Sequence, residues 1–500
     1  MTVEKVGSAM SWNLLAKVAR FVAMPVGYAV IVRSLGEYDW GLLNLLRTIT
    51  AFVLVAVIAG GGNTILRYLP QARVRGGMRS LMRDVGRLIA IQAAVWLALT
   101  AAAWYLSGPI AGIYHQDDAR FAYYLVLAVG FVAFEASMTM VTNILQSWYE
   151  TRLLGIVIVA GNIAYVILLI VVLRLGWGIP GVFAAGGAVN LVSTLALIPQ
   201  AVELVRSHPE DSVPGPGMGV LMRFSIPFVA IGLLNQIVWR HSEVLLLGHF
   251  TGIEASGFFG LAYRIPQMAL EFIPLSIWPI VMAGVSESYA KDPGRLPGTI
   301  DIYYRLLFLL VLPVAALGFA FSRPLVPLLF GRGMEPAALL TQLFFVVFSY
   351  SFIYTPLSMA LYVVGKSWIN MLVFAVLAVV NLGLDLAFIP RFGLWGAFAP
   401  VAVTLLVGIA AFRIAAGRAG TGISVPAGFI ARCYLAVTPT ALLALSASRW
   451  HEPAALAAQA LAGVLLLWGG IRLTRIVGER EKELILRLPI PAKELIVSLL

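Results

Sequence analysis

The chain is written as long apolar runs separated by short polar ones. With a span of roughly 20 residues as the ruler, about fourteen runs appear. They centre near 21, 51, 98, 133, 164 and 192, then near 233, 269, 312, 350, 379 and 405, and finally near 438 and 464. Each reads as a membrane-crossing helix. Trp40, Trp104, Trp148, Trp177, Trp368, Trp395 and Trp450 stand near the ends of runs, where an amphipathic ring prefers the membrane–water boundary. The expected fold is therefore all-α and integral to the membrane.

Composition agrees with that pattern. Hydrophobic residues make up 60% of the 500 and charged ones 12%, and the mean hydropathy is +0.92, values foreign to soluble domains. The first run continues from about Met10 to Val32 without a small-residue cleavage site, so it reads as a retained span rather than a leader. The single Cys433 excludes an intrachain disulfide and a cysteine metal cluster, and the five histidines lack ligand spacing. No metal and no cofactor is implied.

Charge supplies orientation. With the N-terminus inside, 23 of the 35 Lys and Arg residues fall on the cytoplasmic side and seven outside, a bias that places both termini in the cytoplasm of an inner-membrane protein. Six of the 23 lie between Arg67 and Arg87, a segment that reads as a topology determinant resting on anionic headgroups. The net charge of +11 is then mostly topology. No aromatic-interleaved basic strand or helix-turn-helix pattern argues for nucleic acid.

The remaining five cations, Lys17, Arg20, Arg47, Arg240 and Arg264, sit inside apolar runs. A charge at mid-membrane costs on the order of 3 kcal/mol, so such residues face a protein-lined or watery interior. They recur with a repeat. LGEYDWGLLNLLR from Leu35 resembles LGHFTGIEASGFFGLAYR from Leu247, with four extra residues in the second loop and one in the helix. LQSWYETR at Leu145 recurs as LYVVGKSW at Leu361, and GIPG at Gly178 as GLWG at Gly393. A common displacement indicates a duplicated six-helix unit. Six is even, so the halves share an orientation and a pseudo-twofold along the membrane normal, with substrate expected between them. The expected organisation is an N-terminal half over 1–204, a cytoplasmic linker over 205–219, a C-terminal half over 220–416, two additional helices over 417–475 and a tail over 476–500.

Asn13, Lys17 and Arg20 step by four and three, as do Gln236, Arg240 and Glu243. Asn44 with Arg47 and Arg264 with Gln267 are three apart. Each set makes a polar stripe on a helix, and the stripes should line a common cavity. Guanidinium groups match phosphate oxygens bidentately, while Asn and Gln hydrogen-bond hydroxyls. The plainer readings are internal ion pairs of Arg240 with Glu243 and of Arg264 with Glu271, and a Lys17 that snorkels to the surface. Glu135 reads equally as a structural hydrogen-bonder and as a proton site, and Asp385 as either. Gly365, Lys366 and Ser367 echo a phosphate loop, but Ala360 stands where its first glycine belongs, and a tight turn is the better reading.

The repeated helix ending in Leu-Gly, a short loop and Gly with aromatics, as in EVLLLGHFTGIEASGFFGLAYR, together with NLGLDLAFIPRFGLWGAFAP from Asn381, resembles the multidrug/oligosaccharidyl-lipid/polysaccharide exporter superfamily. The likeness covers roughly residues 8 to 415 and is strongest to its polysaccharide-type flippases, the O-antigen and lipid II kind. It implies a transporter, not an enzyme, that moves a lipid-linked anionic oligosaccharide among membrane lipids, with a polysaccharide polymerase or other assembly proteins as candidate partners; the oligomeric state is not read from the sequence, and a monomer is the expectation. It also implies cations on helices 1, 2 and 8, matching Arg20, Arg47 and Arg264. Cation-coupled drug exporters of the superfamily place an acid in the first helix of a half, where this chain has none, so Glu243 and Glu135 are its candidate coupling carboxylates. A membrane glycosyltransferase or polymerase would need acidic residues in large loops. A non-transporting scaffold would have no need of intramembrane cations.

Overall fold

The structure is a computed structural model that describes residues 3–58, 60–75, 77–115, 119–148, 150–207, 215–237, 242–444 and 453–478. Its helices are α1 (Val3–Ile58), α2 (Gly61–Arg75), α3 (Met78–Ile113), α4 (Ala119–Ser147), α5 (Arg152–Arg174), α6 (Gly178–Arg206), α7 (Met218–Gln236) and α8 (Ser242–Phe250). They continue as α9 (Ile253–Lys291), α10 (Leu296–Phe330), α11 (Glu335–Ser351), α12 (Thr355–Val363), α13 (Ser367–Arg418), α14 (Ala427–Leu442) and α15 (Pro453–Thr474). All fourteen expected centres fall inside helices. Among the described residues ten helical stretches are long and apolar enough to cross a membrane, so the chain is a multi-pass membrane protein.

Two of these helices are too long for one crossing. At 1.5 Å per residue, α1 would extend roughly 84 Å, nearly three times a hydrocarbon core of ~30 Å. It is instead broken at Gly36, which takes φ 79°, a left-handed value that a Cβ disfavours. The 52-residue α13 breaks in the same way at Gly393, with φ 53°. Each long helix thus supplies two of the expected spans.

The chain divides into two compact units, residues 1–257 and 258–500. The division lies C-terminal to the expected linker, of which 208–214 is outside the described residues. In the first unit α1 packs on α5, α4 on α6 and α3, and α7 and α8 also lie against α1. Two close approaches fix α7 and the first turn of α9 there. A Cβ on Gly60 would fall on the Ser225 carbonyl of α7, and the Thr64 and Ser225 hydroxyls are 2.5 Å apart. A Cβ on Gly257, at the start of α9, would stand 2.8 Å from the Gly41 Cα, and one on Gly41 would fall on the Ile253 carbonyl. In the second unit α10 packs on α11 and α14, α12 and α11 pack on α13, and α14 packs on α15. The last two helices are joined where a Cβ on Gly470 would fall on the Ala436 carbonyl and where the Thr440 hydroxyl donates to Gly463 O at 3.2 Å.

The repeat can be re-registered from the backbone. Helices α5 and α13 begin at 152 and 367, and Gly178 and Gly393 have φ of 55° and 53°, each pair 215 apart. Gly36 has its counterpart in Gly252, at φ 124°, and not in Gly248, which is buried within α8 against Leu45 and Tyr114. The first match therefore needs no loop insertion. The tryptophans also divide. Trp104, Trp177, Trp368 and Trp395 are exposed, but Trp40 and Trp148 are buried core residues. Trp450 lies outside the described residues.

Candidate functional site

Arg47 lies on the second crossing of α1 and points into the first unit. Its Nη2 donates to the Tyr165 hydroxyl of α5 at 3.2 Å. Its guanidinium lies 5.7 Å from the centre of the Tyr28 ring, on the first crossing of α1, and Tyr28 is in turn edge-on to Trp40 at 5.5 Å. The charge of Glu135, on α4, acts on both Arg47 and Tyr165. A ring face and a phenol thus flank one cation, and the charge of the exposed Glu135 adds a smaller influence. A guanidinium away from bulk water needs such partners, since its donors are costly to leave unmade. The arrangement can trade one of them for the oxygens of a phosphate.

Asn44, one turn before Arg47, is spent on packing. Its Nδ2 donates to Ser256 O at 2.9 Å, beside the Trp40 Nε1 donation to Gly257 O at 3.0 Å. The fully buried Ser256 reaches Gly41 O at 3.4 Å. These bonds make Asn44 a latch between α1 and the start of α9 rather than an open sugar ligand.

In the second unit, Arg264 of α9 is half-buried, and its Nε is enclosed without a hydrogen-bond partner. Gln267 is buried and donates to Glu271 at 3.2 Å. In the first unit, Gln236 at the end of α7 has an enclosed Oε1 without a donor. Glu243 is buried on α8 and accepts from the Ser242 hydroxyl at 3.3 Å. Arg240 lies outside the described residues. Asn13, Lys17 and Arg20 lie on the α1 backbone, but their side chains are outside the described ones. Of the expected site residues, Glu135 acts on Arg47 through its charge.

Two residues escaped the sequence reading, and a third was left undecided. Tyr28 and Tyr165 looked like ordinary interior aromatics, with no spacing to tie them to Arg47. Asp385 of α13 is fully buried and accepts from Asn381 Nδ2 at 3.0 Å. The signal for that pair was present, an Asn and an Asp four apart in an apolar helix.

A polytopic helical membrane protein with arginines inside its spans is the class that fold and site define. Residues 3–284, more than half of the chain, match the family of polysaccharide biosynthesis proteins, and the chain belongs to that family. It is similar to a lipid II flippase, MurJ, in an inward closed conformation, at 13% identity and a TM-score of 0.71, covering 92% of this chain and 98% of that one. An inward-facing multidrug resistance MATE family transporter of the MOP superfamily matches at 14% identity and a TM-score of 0.64, covering 82% of this chain and 100% of that one. A mutant of the Vibrio cholerae MATE transporter VcmN matches at 14% identity and 0.54, over 83% and 96%. No curated protein sequence matches.

Proposed function

We propose that the chain is a flippase that carries a lipid-linked oligosaccharide, or a cell-wall or polysaccharide precursor on polyprenyl pyrophosphate, across the cytoplasmic membrane by alternating access. The observation that carries this reading is Arg264, a cation in α9, one of the expected spans, whose buried Nε lacks an acceptor among the described residues. A pyrophosphate supplies what it lacks. Arg47 is the second headgroup ligand and Arg20 the third, and the polyprenyl tail stays in the bilayer while the headgroup passes. Two conformations close in free energy, each stabilised differently by the headgroup, are sufficient for exchange. Family membership and the likeness in fold to a lipid II flippase support the same reading.

The test is flipping in vesicles that hold the purified protein and candidate lipid-linked oligosaccharides. Accelerated transfer of the pyrophosphate-linked lipid, absent from protein-free vesicles, is the expected result. No acceleration with any anionic polyprenyl lipid would refute it. The membrane placement has its own test. With Cys433 replaced by Ser, a cysteine introduced by Arg480→Cys should be closed to a membrane-impermeant thiol reagent in intact cells.

A second reading, cation-coupled drug export, is favoured by one observation: Glu135 acts electrostatically on Arg47 and Tyr165. Under it, Glu135→Gln or Glu243→Gln abolishes transport while Arg47→Ala and Arg264→Ala remain active.

A further inference from the structure

Two histidines meet at one end of the first unit. His115 follows the last turn of α3, His249 lies in the last turn of α8, and their rings are nearly parallel, with 5.7 Å between centres and 14° between planes. His249 Nδ1 is 2.6 Å from Ile113 O. A carbonyl oxygen only accepts, so Nδ1 carries a hydrogen and donates, and any further proton goes to Nε2. That bond is therefore the same whether the ring is neutral or charged. The stack is not.

The backbone is bent to make the contact. His115 has φ 54°, the left-handed conformation that commonly ends a helix and usually falls to glycine. Its N–H donates to Gly112 O at 3.1 Å, closing a turn that leaves the imidazole against His249. A side chain held where its own Cβ is disfavoured points to a role for that side chain. One residue before His249, Gly248 lies under Tyr114, whose ring would stand 3.4 Å from a Cβ there. The end of α8 thus rests directly on the end of α3.

Imidazole is the side chain that ordinarily changes charge between pH 5 and 8. One charged ring can stack on a neutral one, but two imidazolium charges at this separation repel. The titratable and charged groups on the elements packed around the pair are Tyr114 of α3, Arg33, Glu37 and Asp39 of α1, Glu254 of α9, and Arg120 of α4, whose charge acts on Asp39. Asp117 and Asp118 lie outside the described residues. Acids match or outnumber bases here, so nothing on these elements keeps a second proton away.

We propose that His115 and His249 form a pH-sensitive latch that holds the end of α8 against the end of α3 near neutral pH and parts when both rings are protonated. The charge bias of the chain directs this end away from the cytoplasm, where pH follows the surroundings. The latch requires nothing of the substrate and stands apart from the flipping reading. Its test uses the full chain in lipid nanodiscs, with Cys433→Ser and spin labels on Gly108→Cys and Thr251→Cys, two exposed positions on the two sides of the latch. The distance between the labels is read by pulsed electron resonance at about pH 7.5 and about pH 5.5. Wild type should show one short distance near neutrality and, in acid, a longer one whose share rises about tenfold.

His115→Phe keeps a ring without a charge, and His249→Gln keeps a donor for Ile113 O without a titrating ring. Each should hold the short distance at both pH values. An unchanged distance in wild type overturns the proposal, and so does an acid response that survives in either variant, which would assign the sensing to a carboxylate such as Asp39. If neither variant folds, salt decides on wild type. At about 1 M the screening length falls to about 3 Å, so the acid response should shrink, and one indifferent to salt refutes the latch.

Discussion

The glycines Gly41 and Gly257 put two helices in register, and the positions that follow them have taken opposite chemistries. Six residues after Gly41 stands Arg47, among Tyr28, Tyr165 and the charge of Glu135. Six residues after Gly257 stands Tyr263, packed edge-on to Phe344 at 5.4 Å and to Phe348 at 4.9 Å. Phe344 in turn meets Phe259 and Phe398. The corresponding cation, Arg264, comes one position later. One residue turns a helix by about 100°, so the two arginines project from different faces. One lands among partners in its own unit and the other keeps an unanswered donor. A one-residue slip after duplication separates a cation that must trade existing contacts for a headgroup from one whose Nε has none to give up.

That contrast predicts unequal responses. Arg264→Ala should reduce flipping by about a hundredfold with insertion unaffected, because a charge-assisted bidentate contact is lost, and Arg264→Lys should fall between, since charge survives without the fork. A full rate in Arg264→Ala vesicles breaks the comparison. Gly257→Ala comes next. Its methyl would meet the Gly41 backbone at 2.8 Å, and overpacking of this kind costs about 2 kcal/mol, measurable as a lower thermal midpoint in detergent. Tyr165→Phe removes the acceptor from Arg47 Nη2 and should cost about 1 kcal/mol in stability. If it alters flipping more than Arg264→Lys does, the roles assigned to the two arginines are reversed. Smallest is Tyr28→Leu, which removes a ring face from Arg47 at a cost of about 0.5–1 kcal/mol.

Much of the fold was legible because lipid is an unforgiving solvent. Span centres follow from apolar length alone, and each lies in a helix. The breaks were harder to see. Gly36 and Gly393 look like many other glycines in this chain until their left-handed φ is known, so the spacing of the spans suggested an interruption in each region without showing which residue makes it. Trp40 was placed at the interface because a tryptophan near a span end normally sits there. It is buried because its N–H finds the Gly257 carbonyl, a partner 217 residues away that periodicity cannot reveal. At the site, the cations were conspicuous from their cost, but their surroundings were not. Tyr165 reaches Arg47 through packing of α5 on α1, and Asn44 was read as a sugar ligand although Ser256 O holds it.

The crossing of Gly41 and Gly257 has a consequence for how the protein moves. Where side chains meet, a contact can loosen by degrees as rotamers adjust. Here backbone lies on backbone, and separating apolar atoms by 0.5–1 Å already forfeits a quarter to a half of their attraction. With no flexible atoms between them, the two helices either touch fully or have let go. Such a junction behaves as a snap fastener, resisting small fluctuations and then releasing at once.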